Sequence, residues 1–377
     1  MPQPPEPIAF IDLKAQQARV RDQVEARFRR VLDHGAYING PEVAELESAL
    51  CAFTGTEKAL AVANGTDALI IPMLAMGLGA GDAVFVPAFT YNATANAVLL
   101  AGAQPVFCDV RARDFNLDPD DLDRRIEQVK REGRLTPRMI IAVDLFGIAA
   151  DYQAIFAVAE KHGLLVMADA AQSFGARWQG RWAGNIAPVT ATSFFPAKAL
   201  GCYGDGGAIF FRDTALFDAC ESVRWHGTDS ARKESVRVGM NGRLDSLQCA
   251  VVLEKLTIFE DELNARRRIA ALYDRRLAGR VDPTAFGEGV ESGWGLYTVA
   301  LDDRDRVQAA LREDGVPTAI YYPQPLHRMR AFEAYAPEGG LPVAERLADR
   351  VLSLPMHPYL TEAQAEYVAE RLLAAIG

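Results

Sequence analysis

One lysine, Lys198, lies in the stretch Ser193-Phe-Phe-Pro-Ala-Lys198-Ala-Leu-Gly-Cys-Tyr-Gly-Asp-Gly-Gly207, between a Ser-Phe-Phe-Pro lead-in and closely spaced Gly and Asp residues. Glycine admits backbone angles and close approaches that other residues cannot make. A lysine presented in this way can form a Schiff base or bind a phosphate, or it is a solvated surface lysine in a mobile loop. Upstream, Asp169-Ala-Ala-Gln-Ser173 directly follows the apolar run Leu164–Ala168. A carboxylate at that place is either a helix cap or a functional acid. Further upstream, Ala59–Ala63 is followed at once by Asn64-Gly-Thr-Asp67 and an apolar helix. Strand, glycine turn and helix start point several backbone N–H groups at one spot, which favours an anion, most often a phosphate. The alternative there is simple helix capping by Asn64 or Thr66.

The elements that must position these residues follow from periodicity. Val20, Val24, Phe28, Val31 and Leu32 form one face of a helix over 13–33, and Val43, Leu46 and Leu50 form that of a second helix over 41–53. Short apolar strands at 59–63, 83–86, 104–109, 139–144, 164–168, 190–195 and 208–211 are mostly separated by amphipathic helices, among them 118–131 and 151–162. That alternation predicts an α/β chain with a mostly parallel sheet covered on both faces. Pro72 falls within a predicted helix and is expected to kink it or move its start. Gly77-Leu-Gly-Ala-Gly81 follows a helix and precedes a strand, the wrong order for a dinucleotide-binding turn, so it reads as a helix-to-strand connection. A long helix over 253–277 bridges to a C-terminal part. Its strands are expected at 293–300 and 317–322 and its helices at 305–314 and 361–375, a small α+β domain. The expected divisions are an N-terminal extension and helix over 1–35, a large domain over 36–254 and a small one over 255–377.

Composition narrows the function classes. The chain has 377 residues, half of them hydrophobic, and a formal net charge of −10 without a long basic run, which speaks against a nucleic-acid binder. Five scattered cysteines without metal or redox spacing suit a reduced, cytoplasmic setting. The Pro-rich start does not have the pattern of a signal peptide, and no apolar run is long enough to span a membrane. The histidines at 34, 162, 226, 327 and 357 have no ligand spacing, so no metal is expected.

In an open parallel sheet, ligands bind beyond the C-terminal strand ends. Three features lie at such ends in chain order: a phosphate-ready turn (Gly65, Thr66), an acid (Asp169) and a lysine (Lys198). Pyridoxal phosphate needs these three. Its phosphate wants a helix N-terminus, its ring nitrogen a carboxylate and its aldehyde a lysine. Ser193 can add a hydroxyl to the phosphate. Gln172 and Phe89 can flank the ring, though Phe89 is equally an ordinary core residue.

The stretches Asn-Gly-Thr-Asp-Ala-Leu69, Gly-Asp-Ala-Val-Phe-Val-Pro87, Asp-Ala-Ala-Gln-Ser173, Ser-Phe-Phe-Pro-Ala-Lys198 and Gly-Met-Asn-Gly-Arg243 resemble the sugar-nucleotide aminotransferases of the DegT–DnrJ–StrS family over nearly the full length. The resemblance implies the aspartate-aminotransferase fold (fold type I). Phe-Ile-Asp-Leu-Lys14, His-Gly-Ala-Tyr-Ile-Asn-Gly-Pro-Glu42 and Leu-Ser-Leu-Pro-Met-His-Pro358 are similar to members that aminate C3 of UDP-2-acetamido-2-deoxy-3-oxo-glucuronate for bacterial surface polysaccharide (O-antigen). Alternatives within the family are a dTDP-3-oxo-6-deoxyhexose or a 4-oxo sugar nucleotide. A dehydrase relative would carry histidine in place of Lys198, and a non-enzymatic ligand sensor of the same fold would be expected to lose the lysine or the acid.

The resemblance also implies roles. Lys198 would be the Schiff-base lysine and the base for the proton shift, and Asp169 the partner of the pyridinium. Gln172 would lie at the ring face or its hydroxyl, and Gly65, Thr66 and Ser193 at the phosphate. Asn241 would reach the phosphate of a neighbouring subunit, making a homodimer. Arg243 is a candidate for a carboxylate of the donor or sugar, or for an interface ion pair. Tyr321 and Tyr322 would line the sugar, with Tyr321 standing where related C3 aminotransferases often carry histidine. The expected reaction is ping-pong amino transfer from glutamate, with pyridoxamine 5'-phosphate as the amine-carrying form of the cofactor.

Overall fold

Two N-terminal helices, α1 (Leu13–His34) and α2 (Pro41–Thr54), open the computed structural model, which describes residues 7–281, 284 and 286–377. Residues 1–6 of the Pro-rich start lie outside the described residues. Asp12 caps α1 by accepting from the Ala15 N–H at 2.9 Å, and Gly35 ends it at φ 69°. Val20, Val24 and Val31 are buried, but Leu32, expected on the same face, is 60% exposed. One residue turns a helix by about 100°, enough to carry Leu32 from the edge of that face into solvent.

The alternating part then runs β1 (Lys58–Val62), α3 (Gly65–Ala75), β2 (Asp82–Pro87), α4 (Ala93–Leu100), β3 (Gln104–Cys108), α5 (Pro119–Glu132), β4 (Thr136–Val143), α6 (Tyr152–His162) and β5 (Leu165–Asp169). The short pair β6 (Arg177–Trp178) and β7 (Arg181–Trp182) precedes β8 (Val189–Ser193) and β9 (Gly207–Phe211). Seven strands form one sheet in the order β1-β9-β8-β5-β4-β2-β3. The four pairs among β8, β5, β4, β2 and β3 are parallel, and β9 is antiparallel to both its neighbours. The mostly parallel α/β architecture expected from the sequence is therefore present.

Strand parity sorts the core between the two faces of this sheet. Val84, Val86, Met139, Ile141, Val143 and Met167 pack with the apolar residues of α3 and α4. Their strand neighbours Ala83, Phe85, Ile140, Ala142, Val166 and Ala168 pack on the other side with α5 and α6. Pro72 lies inside α3, which continues to Ala75. The proline deletes one ladder donor late in the helix, and the Met76 N–H still bonds back to the Pro72 carbonyl at 3.0 Å.

Beyond the sheet come α7 (Phe217–Arg224), α8 (Ser246–Leu256) and α9 (Phe259–Leu277). The single helix expected over 253–277 is thus two. Thr257 Oγ1 donates to the Glu254 carbonyl at 2.6 Å and the Ile258 N–H to the Lys255 carbonyl at 3.2 Å, closing α8 with a turn. The remainder is β10 (Val290–Glu291), β11 (Tyr297–Ala300), α10 (Arg304–Glu313), α11 (Pro342–Arg350), β12 (Val351–Leu354) and α12 (Glu362–Ile376). β11 pairs antiparallel with β12, and a second core gathers residues of α9, α10 and α12 around them. The strand expected over 317–322 is absent. Only Ala319 makes an isolated bridge, to Ser353, because Pro317, Pro323 and Pro325 withhold ladder donors. Helix α11, not foreseen, joins the main core, and the Asp109 carboxylate accepts from the N–H groups of Val343 and Ala344 at its start. No helix among the described residues is long and apolar enough to cross a membrane.

Candidate active site

Asp169 ends β5 on the face that carries Met167, so its side chain turns toward α4. There the Thr94 hydroxyl donates to Oδ2 at 2.9 Å, and the Ala171 N–H reaches Oδ1 at 3.2 Å. The residue is 6% exposed. Burial raises its pKa above the usual carboxylate range, while Thr94, Ala171 and the charge of Lys198 pull it back. Lys198 follows β8 in a tight loop, its N–H bonded to the Phe195 carbonyl at 2.8 Å. Gly201 is required there, since a Cβ at that position would lie 2.6 Å from the Phe195 carbonyl oxygen. Burial lowers the Lys198 ammonium from its ordinary range, and the attraction of Asp169 opposes this. The outcome is an amine that sheds its proton more readily than a surface lysine, beside a carboxylate.

The glycine turn and the lysine strand meet directly. Asn64 caps α3, with the Asp67 N–H donating to its Oδ1 at 2.8 Å. A Cβ on Gly65 would lie 2.7 Å from Ser193 Cβ and 3.1 Å from its Oγ. One on Gly207 would lie 2.7 Å from the Asn64 carbonyl oxygen. These two bare positions bring the end of β8 against the N-terminus of α3, with Thr66 half-buried in its first turn. Capping and anion binding are compatible, because Asn64 uses only one of the free N–H groups. A cradle with hydroxyl and N–H donors at one end, and a lysine and a carboxylate further in, fits pyridoxal phosphate. Gly65→Ala is expected to fold with a loss of about 1–3 kcal/mol from overpacking. It should also retain the cofactor about tenfold less well, a loss of about 1.4 kcal/mol at the phosphate end. Thermal melting and cofactor titration check the two effects.

Gln172 is fixed from both sides. Its Oε1 accepts from the Phe146 N–H at 2.8 Å, and its Nε2 donates to the Tyr322 hydroxyl at 2.8 Å. Phe146 stands at φ 60°, a left-handed conformation that costs energy for a bulky residue and that presents its N–H here. Phe89 is 1% exposed in the main core and meets the Tyr322 ring edge-on at 6.4 Å. Tyr321 packs between Phe10 and Tyr322, with ring centroids 6.3 and 5.7 Å away. Asn241 and Arg243 engage each other, Arg243 Nε donating to Asn241 Oδ1 at 2.8 Å, and the guanidinium lies 4.6 Å from the centre of the Trp225 ring. Their loop borders the glycine turn, with the Gly242 carbonyl accepting from the Ala63 N–H at 3.0 Å.

Thr94 and Asp144 were not singled out from the sequence. Thr94 is a lone hydroxyl at the start of the apolar helix α4, and that isolation is its signal. Asp144 directly follows the last residue of β4, much as Asp169 closes β5, so the same rule marks it. The fold also gathers His162 with Asp123 and Glu127, which the spacing of the histidines does not show. Lys161 Nζ already lies 2.8 Å from both Asp123 oxygens, so the chain supplies that cluster with its own cation.

The model of the DegT/DnrJ/EryC1/StrS aminotransferase family matches residues 19–373. The chain is 48% identical over 368 residues to a Pseudomonas aeruginosa UDP-2-acetamido-2-deoxy-3-oxo-D-glucuronate aminotransferase, covering 97% of this chain and 99% of that protein. A DegT DnrJ EryC1 StrS aminotransferase from Brucella abortus superposes with a TM-score of 0.96 at 47% identity, over 98% of this chain and 100% of that one. A Bacillus subtilis protein solved with bound cofactor PMP superposes with a TM-score of 0.88 at 28% identity, over 99% of this chain and 87% of that one.

Proposed function

The chain belongs to the DegT/DnrJ/EryC1/StrS aminotransferase family of sugar-nucleotide enzymes, and from that premise we propose that it transfers an amino group from glutamate to C3 of UDP-2-acetamido-2-deoxy-3-oxo-glucuronate. The chemistry rests on one observation: a half-buried lysine with a lowered ammonium pKa, in the loop after β8, close to a buried carboxylate at the end of the neighbouring strand β5. The substrate rests on the likeness to the Pseudomonas aeruginosa enzyme over nearly both full lengths.

Pyridoxal 5'-phosphate, when bound, supplies an aldehyde that takes up an amine and a ring that accommodates an electron pair. Gly65, Thr66 and Ser193 would hold its phosphate, and Asp169 would keep the proton on its ring nitrogen. Gln172, fixed by Phe146 and Tyr322, would sit against the ring. Lys198 would bind the aldehyde carbon and, once freed, move the proton at the carbon that gains or loses the amine. Tyr321, Tyr322 and Arg243 would meet the sugar, with Arg243 suited to its carboxylate. A homodimer in which Asn241 of one subunit reaches the neighbouring phosphate would complete the site, in the cytoplasm and in the service of O-antigen assembly.

Incubating the purified protein with glutamate and a panel of 3-oxo and 4-oxo sugar nucleotides tests the substrate. The 3-oxo-uronate should gain an amine, read as the mass of the 3-amino product. Amination of non-uronic sugars alone would overturn the assignment.

A further inference from the structure

We propose that Asp144 is a positioning residue for this reaction: a second buried carboxylate, at the end of the strand next to that of Asp169 and on the opposite face of the sheet, whose ionisation sets the field at Asp169 and whose donors fix the loop carrying Gln172.

β4 and β5 run parallel, Val143 opposite Asp169, and the Asp144 N–H donates to the Asp169 carbonyl at 3.0 Å. The two side chains then part. Asp169 turns to Thr94, and Asp144 turns to α6 on the other face. Asp144 has no exposed surface. Its Oδ1 accepts from the Ala150 N–H at 3.0 Å and the Tyr152 hydroxyl at 2.8 Å, and its Oδ2 from the Ser173 hydroxyl at 2.9 Å. Ser173 adjoins Gln172, and Ala150 closes the turn that presents the Phe146 N–H to Gln172. One carboxylate thus fastens both backbone segments that hold Gln172. The titratable groups that face it are Tyr152 from α6 and Asp169 from β5, and the cation that answers Asp169 is Lys198. Three donors favour a charged Asp144, but burial and the charge of Asp169 push its pKa up to about 7. A charge on Asp144 makes Asp169 a stronger proton acceptor, because the coupling of two sites is reciprocal.

This inference rests on the cofactor reading above. Its test is an absorbance titration of the cofactor-loaded protein from pH 5.5 to 9. Wild type should show a step near pH 7. Asp144→Asn should lose that step and hold the low-pH spectrum throughout, since asparagine imitates the neutral acid and still accepts from Ala150 and Tyr152. Tyr152→Phe keeps the carboxylate and removes one donor, so the step should persist about half to one pH unit higher. Melting of the cofactor-free proteins gives a second readout. The folded-state pKa of Asp144 is raised, so the folded state binds more protons between about pH 4 and 7. That part of the stability falls as pH rises through this window. Relative to wild type, Asp144→Asn should therefore gain melting temperature between pH 5 and 7. A wild type that takes up no cofactor would overturn the cofactor reading and this inference with it. Cofactor uptake with superimposable titrations of wild type and Asp144→Asn would overturn the inference alone. Loss of the step in Tyr152→Phe would do the same.

Discussion

Alanine in place of Lys198 is expected to slow amino transfer by about 10⁴-fold or more, because in the proposed reaction one group would serve as covalent anchor and as acid–base. The reason lies in the burial of the amine. A surface lysine is almost wholly protonated at neutral pH and is a poor nucleophile. Lys198 sits in a loop closed by the Lys198–Phe195 and Cys202–Phe194 backbone hydrogen bonds, and burial lowers its pKa. A larger share is then free amine at pH 7 to 8. Alanine removes this amine and leaves the loop hydrogen bonds, which are made by the backbone. Two measurements check the expectation. Turnover of the 3-oxo sugar nucleotide should vanish. After borohydride reduction, wild type should carry the cofactor mass on the peptide containing Lys198, and the variant should carry none. Turnover by Lys198→Ala within about a hundredfold of wild type would overturn the assignment.

The parts of this site that were legible in the sequence are those set by local chain order. The strand–glycine–helix turn at 62–66, the acid at the end of β5 and the lysine after β8 all obey the rule that ligands gather at the C-terminal ends of parallel strands. The partners of these residues were not legible, since sheet order brings them together and chain order does not. Thr94 lies 75 residues before Asp169 and meets it only because α4 packs on the face to which β5 parity sends the acid. Tyr322 lies 150 residues from Gln172, in a segment read as a strand. A run of β-branched and aromatic residues suggests a strand, but its flanking prolines withhold donors, and the Tyr322 hydroxyl accepts from Gln172 instead. The division of 253–277 into two helices was equally hidden, because continuous helical periodicity does not record a turn closed by the Thr257 hydroxyl.

The same topology separates charge from shape at Asp169, and Asp169→Asn tests which of the two matters. Asparagine has nearly the same volume. It can still accept from the Ala171 N–H, and the Thr94 hydroxyl can turn to accept from its amide. The local hydrogen bonds therefore survive while the charge is lost. Amino transfer should fall by about 10³-fold, the scale of removing one preorganised electrostatic group from a site of low dielectric. The loss should appear in kcat more than in KM, because in the proposed reaction the carboxylate would act where the ring takes up electrons and not on the sugar. Two results distinguish lost charge from a damaged scaffold. Burial raises the pKa of Asp169 in the folded protein, so its charge costs stability above that pKa. The cofactor-free Asp169→Asn protein should therefore melt no lower than wild type at pH 8. The carboxylate also opposes the lowering of the Lys198 pKa. Without it, the pH midpoint for acylation of Lys198 in the cofactor-free protein should move down. A variant with normal kcat would remove Asp169 from the chemistry. One that loses kcat with a lower melting temperature and an unmoved Lys198 midpoint would make the acid a strut for Thr94, with no electrostatic role.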